Sequence, residues 1–369
     1  MESDGTIHAV MSAEMAAQSG IENIKHYAGI LIPGFINTHC HLELSHLFQR
    51  IPQHTGLQGF VQQVIKFRST PDAEVLAAME IADQNMYANG IVAVGDISNG
   101  ILSKDIKSKS KIVYHTFVET MGFNPAQASA IMARAILLKE TFAPLRASIV
   151  PHAPYSVSPA LFAGLKEYSE RGENLLSMHN QETADENLFF EKKEGSFLKL
   201  YEFLGLDISA FPASGKSSLQ TVLPQMPQGK TLLVHNTLSN AADISFAEAM
   251  NNNLFWCVCA NANLYIEDKL PDVHLWKNAG LKVTLGTDSL ASNHQLSILS
   301  EMRVLQENLT GPGIVFDDLL LWATLNGAEF LGLADALGSL EPGKKPGIVL
   351  LEGMDGEQIN LQTTLKRLI

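Results

Sequence analysis

Residues 29–41 read GILIPGFINTHCH, a run of apolar, strand-like residues that ends in two histidines separated by one residue. Side chains at positions i and i+2 of a β-strand point to the same side, whereas on a helix they would diverge by roughly 200°. His39 and His41 are therefore predicted to face one cavity at the end of a strand. Two imidazoles that face one cavity are candidate ligands of a metal ion.

Apolar runs that end in polar, ligand-type residues recur later in the chain. Residues 175–182 read LLSMHNQE, residues 232–235 read LLVH, and residues 281–289 read LKVTLGTDS. Three nitrogens and one oxygen would come together from His39, His41, His179 and Asp288. Neutral imidazoles suit zinc or iron, and three or four such ligands with one open position are typical of a catalytic site.

Eight strand-like runs alternate with helical patterns along the middle of the chain. The runs are 29–38, 91–97, 111–118, 146–150, 174–178, 231–234, 254–258 and 281–285. Helix-starting signals lie between them, with TPD at 70–72, NP at 124–125 and SP at 158–159. This alternation predicts an α/β fold, the (β/α)8 TIM barrel. In such barrels the active site lies at the C-terminal ends of the strands, where all four candidate ligands fall.

The two chain ends show a different pattern from the middle. Residues 4–10 have the form of half a hairpin, residues 338–344 (GSLEPGK) that of a turn, and residues 347–351 and 364–369 that of two further strands. We expect these segments to pair into a small β-sandwich-like domain. The predicted organisation is a small β domain from residues 1–33 plus 338–369 beside a barrel from residues 34–337.

Composition restricts the partners and the compartment. A net charge of −13 argues against nucleic acid and anionic membranes as partners, because both need basic patches. No uninterrupted apolar stretch reaches the roughly 18 residues of a membrane span, and the N-terminus lacks an export-signal pattern. Only three cysteines occur, which favours a reducing, cytoplasmic location. Cys257 and Cys259 fall in an apolar run, and we expect them to pack in the core.

An ordered set of motifs carries a family resemblance that covers nearly the whole chain. The motifs are PGFINTHCH at 33–41, PHAPYS at 151–156, HNQET at 179–183, LVH at 233–235, NL at 263–264, LGTDS at 285–289 and GSLEPGK at 338–344. In this order they resemble the amidohydrolase superfamily, specifically the branch with cytosine deaminase, S-adenosylhomocysteine deaminase, aminofutalosine deaminase and the triazine chlorohydrolases. The resemblance implies a metal-dependent barrel hydrolase that acts on a small molecule.

The resemblance also implies roles for individual residues. The implied metal ligands are His39, His41, His179 and Asp288. Glu182 matches the glutamate that shuttles protons, and His235 matches a histidine that contacts the metal-bound water or the substrate. His152 resembles a substrate-contacting histidine of the nucleoside deaminases. Glu43, in the run HLELS, resembles the histidine-x-glutamate-x-serine run of aminofutalosine deaminases and is a second candidate for substrate binding.

Departures from the family pattern qualify these expectations. The chain begins almost inside a hairpin, so we expect the N-terminal part of the β domain to be incomplete. Residues 259–263 read CANAN where the family usually has cysteine or asparagine followed by proline. Binuclear members use a carboxylated lysine at the end of the fourth strand, but residues 146–155 contain no lysine, which favours one zinc ion per chain with iron as the alternative. Family members commonly assemble, so a homodimer or larger homo-oligomer is expected.

The leading functional hypothesis is a hydrolytic deaminase of an aminated heterocycle, such as an adenine-type nucleoside. A bound metal ion lowers the pKa of water from 15.7 to about 7, and the hydroxide can attack the carbon that carries the amino group. Glu182, His235 and Asp288 are the candidates for proton transfer and polarisation. The alternative is a chlorohydrolase or amide hydrolase on a different heterocycle, because the same nucleophile can expel other leaving groups. A non-catalytic binding protein would require a lost ligand or shuttle, and all of them are present.

Overall fold

The computed structural model describes residues 1–21, 24–67, 69–209, 211–309 and 314–369. The strands are β1 (Ile30–Pro33), β2 (Phe35–Cys40), β3 (Ile91–Ser98), β4 (Val113–Thr120), β5 (Arg146–Pro151), β6 (Leu176–Asn180), β7 (Thr231–His235), β8 (Leu254–Val258), β9 (Val283–Leu285), β10 (Ile348–Glu352) and β11 (Thr364–Arg367). The helices are α1 (Ala13–Gln18), α2 (Gly56–Lys66), α3 (Asp72–Ala88), α4 (Lys104–Lys109), α5 (Ala128–Thr141), α6 (Pro159–Ser169), α7 (Ala184–Lys192), α8 (Phe197–Phe203), α9 (Ser218–Val222), α10 (Ala241–Met250), α11 (Ala260–Glu267), α12 (Val273–Asn278), α13 (Ile298–Asn308), α14 (Phe316–Ala323) and α15 (Leu325–Leu331). Short 3₁₀ helices cover Leu42–Leu47, Pro125–Gln127, Pro154–Ser156 and Leu223–Gln225.

Eight parallel strands close into a barrel. Four of them pair in the order β2-β3-β4-β5 and the other four in the order β6-β7-β8-β9. Backbone hydrogen bonds join the two halves, since His179 N donates to His152 O at 2.9 Å and Asp288 N donates to His39 O at 3.1 Å. The predicted (β/α)8 barrel is therefore confirmed, and the strand count follows the alternation of runs in the sequence.

The first predicted run, residues 29–38, is divided between two sheets. β1 pairs with β10 in the small sheet, and β2 pairs with β3 in the barrel. Between them lies Gly34, where a Cβ atom would be 2.3 Å from Val92 Cγ1 and 2.8 Å from Pro346 O. Only glycine fits so close an approach, and it lets the chain leave one sheet and enter the other.

The helices begin at the predicted signals. α3 follows Pro71, the Ser158 side chain accepts a hydrogen bond from Leu161 N at the start of α6, and the Asn124 side chain accepts one from Ala126 N just before α5. These caps satisfy backbone donors that the first turn of a helix leaves free. In the part of the chain that the structure describes, no helix combines the length and apolarity needed to cross a bilayer.

Apolar side chains fill the barrel interior. Phe330 of α15 packs against Phe255 and Phe117, with ring centroids 5.4 and 6.1 Å apart. Cys257 and Cys259 belong to the same buried cluster as free thiols, as predicted. Because this interior is packed like other cores, the C-terminal ends of the strands are left for a ligand site.

The chain ends form a small antiparallel sheet in the order β1-β10-β11. This sheet is the predicted small β unit, present in the described residues as one layer. Residues 4–10 do not form the expected hairpin strand. Ile7 instead exchanges backbone hydrogen bonds with the turn at Gly343 and Lys344, both 2.8 Å long. These two hydrogen bonds join Ile7 to a turn and do not continue as the ladder of a β-sheet. The division into domains at residues 34 and 337 stays a prediction.

Candidate active site

The four predicted ligands converge at the C-terminal mouth of the barrel. His39 lies in β2, His41 follows β2, His179 lies in β6, and Asp288 follows β9. His41 Nε2 is 3.1 Å from His39 Nε2, 3.2 Å from His179 Nε2 and 3.4 Å from Asp288 Oδ1. Ligand atoms around a tetrahedral zinc ion are about 3.3 Å apart, given metal–ligand bonds of about 2.0 Å. The spacing of these four side chains therefore fits a metal of that type.

The protonation of the cluster also fits a metal. Burial lowers the pKa of His39, His41 and His179, which keeps the imidazoles neutral. Burial acts to raise the pKa of Asp288, but the hydrogen bond from His39 and the neighbouring histidines outweigh it and hold that pKa well below its usual range. Neutral imidazole and ionised carboxylate are the forms that bind zinc.

Neighbouring groups orient two of the four ligands. His179 Nδ1 is 2.8 Å from His152 O, so this nitrogen carries the proton and Nε2 is left for a metal. Asp288 Oδ2 accepts a hydrogen bond from Ser292 Oγ at 2.6 Å, which leaves Oδ1 facing the histidines. Such outer partners fix ring orientation and carboxylate geometry before a metal binds.

Strained backbone conformations occur where the barrel strands end. Gln181, His235, Asn236 and Asp288 have positive φ angles of 45°, 72°, 53° and 54°. Residues other than glycine seldom adopt positive φ angles, because each costs of order 1–3 kcal/mol. Residues strained in this way cluster at functional sites. The sharp turns direct Asp288 and His235 toward the cavity that they line.

Glu182 and His235 face each other beside the four ligands. Glu182 Oε1 lies 3.8 Å from His235 Nε2, and both side chains are almost fully buried. His235 Nδ1 donates to Asn263 Oδ1 at 2.7 Å, which directs Nε2 toward Glu182. Glu186 Oε2 accepts a hydrogen bond from Glu182 N at 3.3 Å. Burial, and next the Asp288 carboxylate, raise the pKa of Glu182 well above its usual value, so the side chain can hold a proton that it takes from water.

A cavity of about 850 Å³ opens over this cluster. The predicted site residues that line it are His41, Glu43, His152, His179, Glu182, His235 and Asp288. His39 is fully buried and lies beneath them. Apolar walls come from Leu57, Phe60 and Val64 of α2 and from Phe123 and Tyr201. A few polar groups in a largely apolar cavity are typical of a small-molecule site.

Two cavity residues were missed by the sequence analysis. Asn99 follows β3, and its Nδ2 donates to Oε2 of Glu119 in β4 at 2.9 Å. Asn99 N donates to Oε2 of Glu43 at 3.0 Å, so Asn99 links the two carboxylates through its backbone and its side chain. Burial raises the pKa of Glu43 to about 7. Their positions at the C-terminal ends of strand-like runs were the signal that could have found them.

A second set of potential ligands overlaps the first. Glu119, His152 and His179 offer ligand atoms within 4.8 Å of one another. His179 Nδ1 is 3.8 Å from Glu119 Oε1, but it already donates to His152 O. A protonated nitrogen cannot ligate a metal, so this set is a poor second metal site.

Comparison with known proteins agrees with the fold and gives the family. The model of the amidohydrolase family matches residues 30–367, and the chain therefore belongs to this family. Adenosine deaminase of Helicobacter pylori is 27% identical over 343 residues, which cover 91% of this chain and 83% of that protein.

Two solved structures share the fold. Helicobacter pylori aminofutalosine deaminase, crystallised with methylthio-coformycin, has a TM-score of 0.81 at 23% identity and covers 99% of this chain and 94% of its own. An adenosine deaminase from Xanthomonas campestris with bound zinc has a TM-score of 0.75 at 21% identity and covers 98% of this chain and 81% of its own. The barrel and the small sheet therefore belong to an architecture that carries zinc in at least one relative.

Proposed function

We propose that this protein is a metal-dependent hydrolytic deaminase of an adenine-type nucleoside. The observation that carries the proposal is the placement of Glu182 and His235 directly beside four convergent ligand side chains in one cavity. Relatives named as adenosine and aminofutalosine deaminases support the choice of substrate. One zinc ion per chain is assigned to His39, His41, His179 and Asp288, with iron as the alternative.

The chemistry requires a nucleophile at neutral pH and two proton transfers. A metal ion held by the four ligands would lower the pKa of bound water to about 7. Glu182 takes a proton from the attacking water and delivers it to the ring nitrogen next to the reacting carbon. A carbon–oxygen bond forms, Asp288 takes the remaining proton from the added hydroxyl and gives it to the amino group, and the carbon–nitrogen bond breaks so that the amine leaves as ammonia. His235 Nε2 faces the same position and stabilises the developing charge by a hydrogen bond.

Substrate contacts are assigned to the remaining predicted residues. His152 lines the cavity, its Nδ1 is 2.6 Å from Ser156 Oγ, and its ring lies 4.9 Å from that of His179. This position allows the His152 ring to contact a heterocycle bound over the ligand cluster. Glu43 lines the same cavity and accepts a hydrogen bond from Asn99 N, and it is assigned to the rest of the substrate.

Ammonia release tests the proposal. Zinc-loaded protein is assayed against adenosine, adenine, an aminotriazine and a chlorotriazine, with chloride release measured for the last. We expect ammonia from the nucleoside and little chloride. Chloride release in the absence of any deamination would replace the proposal with the chlorohydrolase alternative.

Metal content and assembly are proposed with the activity. Elemental analysis should find about one zinc or iron ion per chain. A homodimer or larger homo-oligomer is expected by light scattering, and a monomeric mass would refute it. The three free, buried cysteines fit a reducing compartment, so we propose a cytoplasmic location.

A further inference from the structure

Glu186 is a fully buried carboxylate that bonds the backbone of the proposed proton shuttle. It lies in the first turn of α7, four residues after Glu182. Its Oε1 accepts a hydrogen bond from Gln181 N at 3.0 Å, and its Oε2 accepts one from Glu182 N at 3.3 Å. Both oxygens of one carboxylate therefore hold the backbone at the shuttle and at the residue before it.

This arrangement departs from what the sequence at the start of α7 predicts. Residues 183–186 read TADE, the pattern of a capping box, in which the glutamate bonds the backbone N–H of the threonine. In the structure the Thr183 side chain makes no capping hydrogen bond, and Glu186 accepts from the two residues before Thr183. The carboxylate thus supports the turn after β6 rather than the start of the helix.

The turn that Glu186 supports has a strained backbone. Gln181 has a φ angle of 45°, and a residue other than glycine keeps such an angle only where its surroundings enforce it. The Gln181 side chain provides part of this support, because its Oε1 accepts from Ser239 Oγ at 2.5 Å and its Nε2 donates to Asp243 Oδ2 at 3.1 Å. Those bonds fix Gln181 itself, whereas Glu186 also holds the N–H of Glu182.

We propose that Glu186 is a positioning residue that fixes the direction in which the Glu182 carboxylate enters the cavity. The inference rests on the proposed deamination, and it adds the residue that aims the proton shuttle. The cavity walls, as the described residues form them, do not include Glu186, so it acts through Glu182 and not on the substrate. Such aim matters because a misplacement of about 1 Å can cost about 100-fold in rate.

The first test is Glu186→Gln in zinc-loaded protein with adenosine as substrate. The amide keeps the size of the side chain but offers one acceptor oxygen, so one of the two N–H groups loses its partner. We expect kcat to fall by about 10–100-fold, with KM and zinc content unchanged, because only the transition state uses the aimed carboxylate. A fall in stability with kcat unchanged would reduce Glu186 to a structural role and overturn the inference.

Asp185→Asn is the matched control. Asp185 lies in the same turn of α7, and its carboxylate accepts a hydrogen bond from Ser196 Oγ. The substitution removes a negative charge from the same helix start without touching the turn at Gln181, so kcat should stay at the parent value. An equal loss of kcat in both variants would assign the effect to the helix start and contradict positioning.

A double-variant cycle separates positioning from a general effect on the site. Once Glu182→Gln has removed the shuttle, adding Glu186→Gln should change kcat by less than about threefold, because both act on one step. Multiplied losses would contradict the inference. Glu186→Asp keeps the charge but draws the oxygens back by one methylene, so it should be about as slow as Glu186→Gln. Parent-like kcat in this variant would show that the charge matters and the bonds do not.

Hydrogen exchange resolved to single amides tests the bonds of Glu186 without turnover. In Glu186→Gln the amide of Gln181 or of Glu182 should exchange at least about tenfold faster than in the parent protein, since a buried, bonded amide exchanges only when the structure opens. Asp185→Asn should leave both amides unchanged. If no adenine nucleoside is deaminated, the proposed function fails. The exchange result then decides on Glu186 alone, because unchanged rates in Glu186→Gln contradict its hold on the turn.

Discussion

Two buried polar clusters lie side by side in this barrel and are built in opposite ways. In the ion-pair cluster, Asp96 Oδ2 is 2.6 Å from Lys107 Nζ, and Asp96 Oδ1 accepts from Leu42 N at 2.8 Å. Lys107 Nζ also donates to the hydroxyls of Ser98 and Thr116 at 2.9 and 3.1 Å. In the ligand cluster (His39, His41, His179 and Asp288), nitrogens face nitrogens at 3.1 and 3.2 Å.

The difference separates a structural cluster from a candidate metal-binding one. Asp96 and Lys107 neutralise each other as an ion pair, and each also bonds a neutral group of the protein, so the cluster is complete without a ligand. The ligand cluster brings together lone pairs that cannot satisfy one another without a cation or protons. Buried polar groups without partners are costly, and a metal ion is the partner that this geometry fits.

The two clusters are also joined through the backbone. Leu42 N donates to Asp96 of the ion-pair cluster, and Leu42 directly follows His41 of the ligand cluster. Asp96 and Lys107 are both fully buried, and buried ion pairs add little net stability compared with apolar residues. We infer that the pair fixes the start of the 3₁₀ helix Leu42–Leu47, and through it the direction of His41.

The largest expected effect comes from breaking the ligand cluster itself. His179→Ala removes one of the four proposed ligands, so zinc affinity should fall by more than about 100-fold, beyond the 10–100-fold that loss of an outer partner typically costs. Activity should fall with it, and the fold should persist because the barrel strands do not depend on this side chain. Competition with a metal chelator measures the affinity.

A matched histidine outside the cluster provides the control. His115 is buried in β4 and bonds Ser148 Oγ at 2.9 Å. His115→Ala should cost stability but keep zinc. If both variants bound zinc as tightly as the parent protein, His179 would not be a ligand.

Glu182→Gln should have the next largest effect, and this effect should be confined to kcat. The amide keeps the size of the side chain but cannot accept a proton, so kcat should fall by about 10²–10⁴. Zinc content should be unchanged because Glu182 is not a proposed ligand, and substrate binding should change much less than kcat. Glu191→Gln, on the exposed face of α7, is the control. A variant of Glu182 within about threefold of the parent rate would contradict the shuttle role.

Substitutions in the ion-pair cluster should change the free energy of unfolding rather than the catalysed reaction. Lys107→Met leaves Asp96 buried without its partner, and removing one member of a buried pair costs about 3–5 kcal/mol. The double variant Asp96→Asn with Lys107→Met should recover part of that loss, because no unpaired charge remains. Urea unfolding of the metal-free proteins gives both values. A double variant no more stable than the single one would show that the charge of Asp96 is not the cause.

Much of the ligand cluster could be predicted because it depends on local periodicity. His39 and His41 share a side through the two-residue repeat of a strand, and His179 and Asp288 follow runs of the same kind. The contacts of Asn99 with Glu43 and Glu119, and the ion pair of Asp96 with Lys107, could not be predicted in this way. Asn99 meets Glu119, and Asp96 meets Lys107, through the register of neighbouring strands and the packing of α4, which a single sequence does not specify. The break at Gly34 likewise depends on the distant Val92 and Pro346.

The smallest effect tests whether the ligand cluster depends on its own outer partners. Ser292→Ala removes the hydrogen bond to Asp288 Oδ2 but leaves all four ligands in place. Loss of such a partner typically costs 10–100-fold in metal affinity or activity, so zinc affinity should fall by about tenfold, between the parent and His179→Ala. Ser300→Ala, on α13 and half-buried, should have no effect. Unchanged affinity in Ser292→Ala would mean that the backbone turn at Asp288, with its φ of 54°, is sufficient to aim the carboxylate.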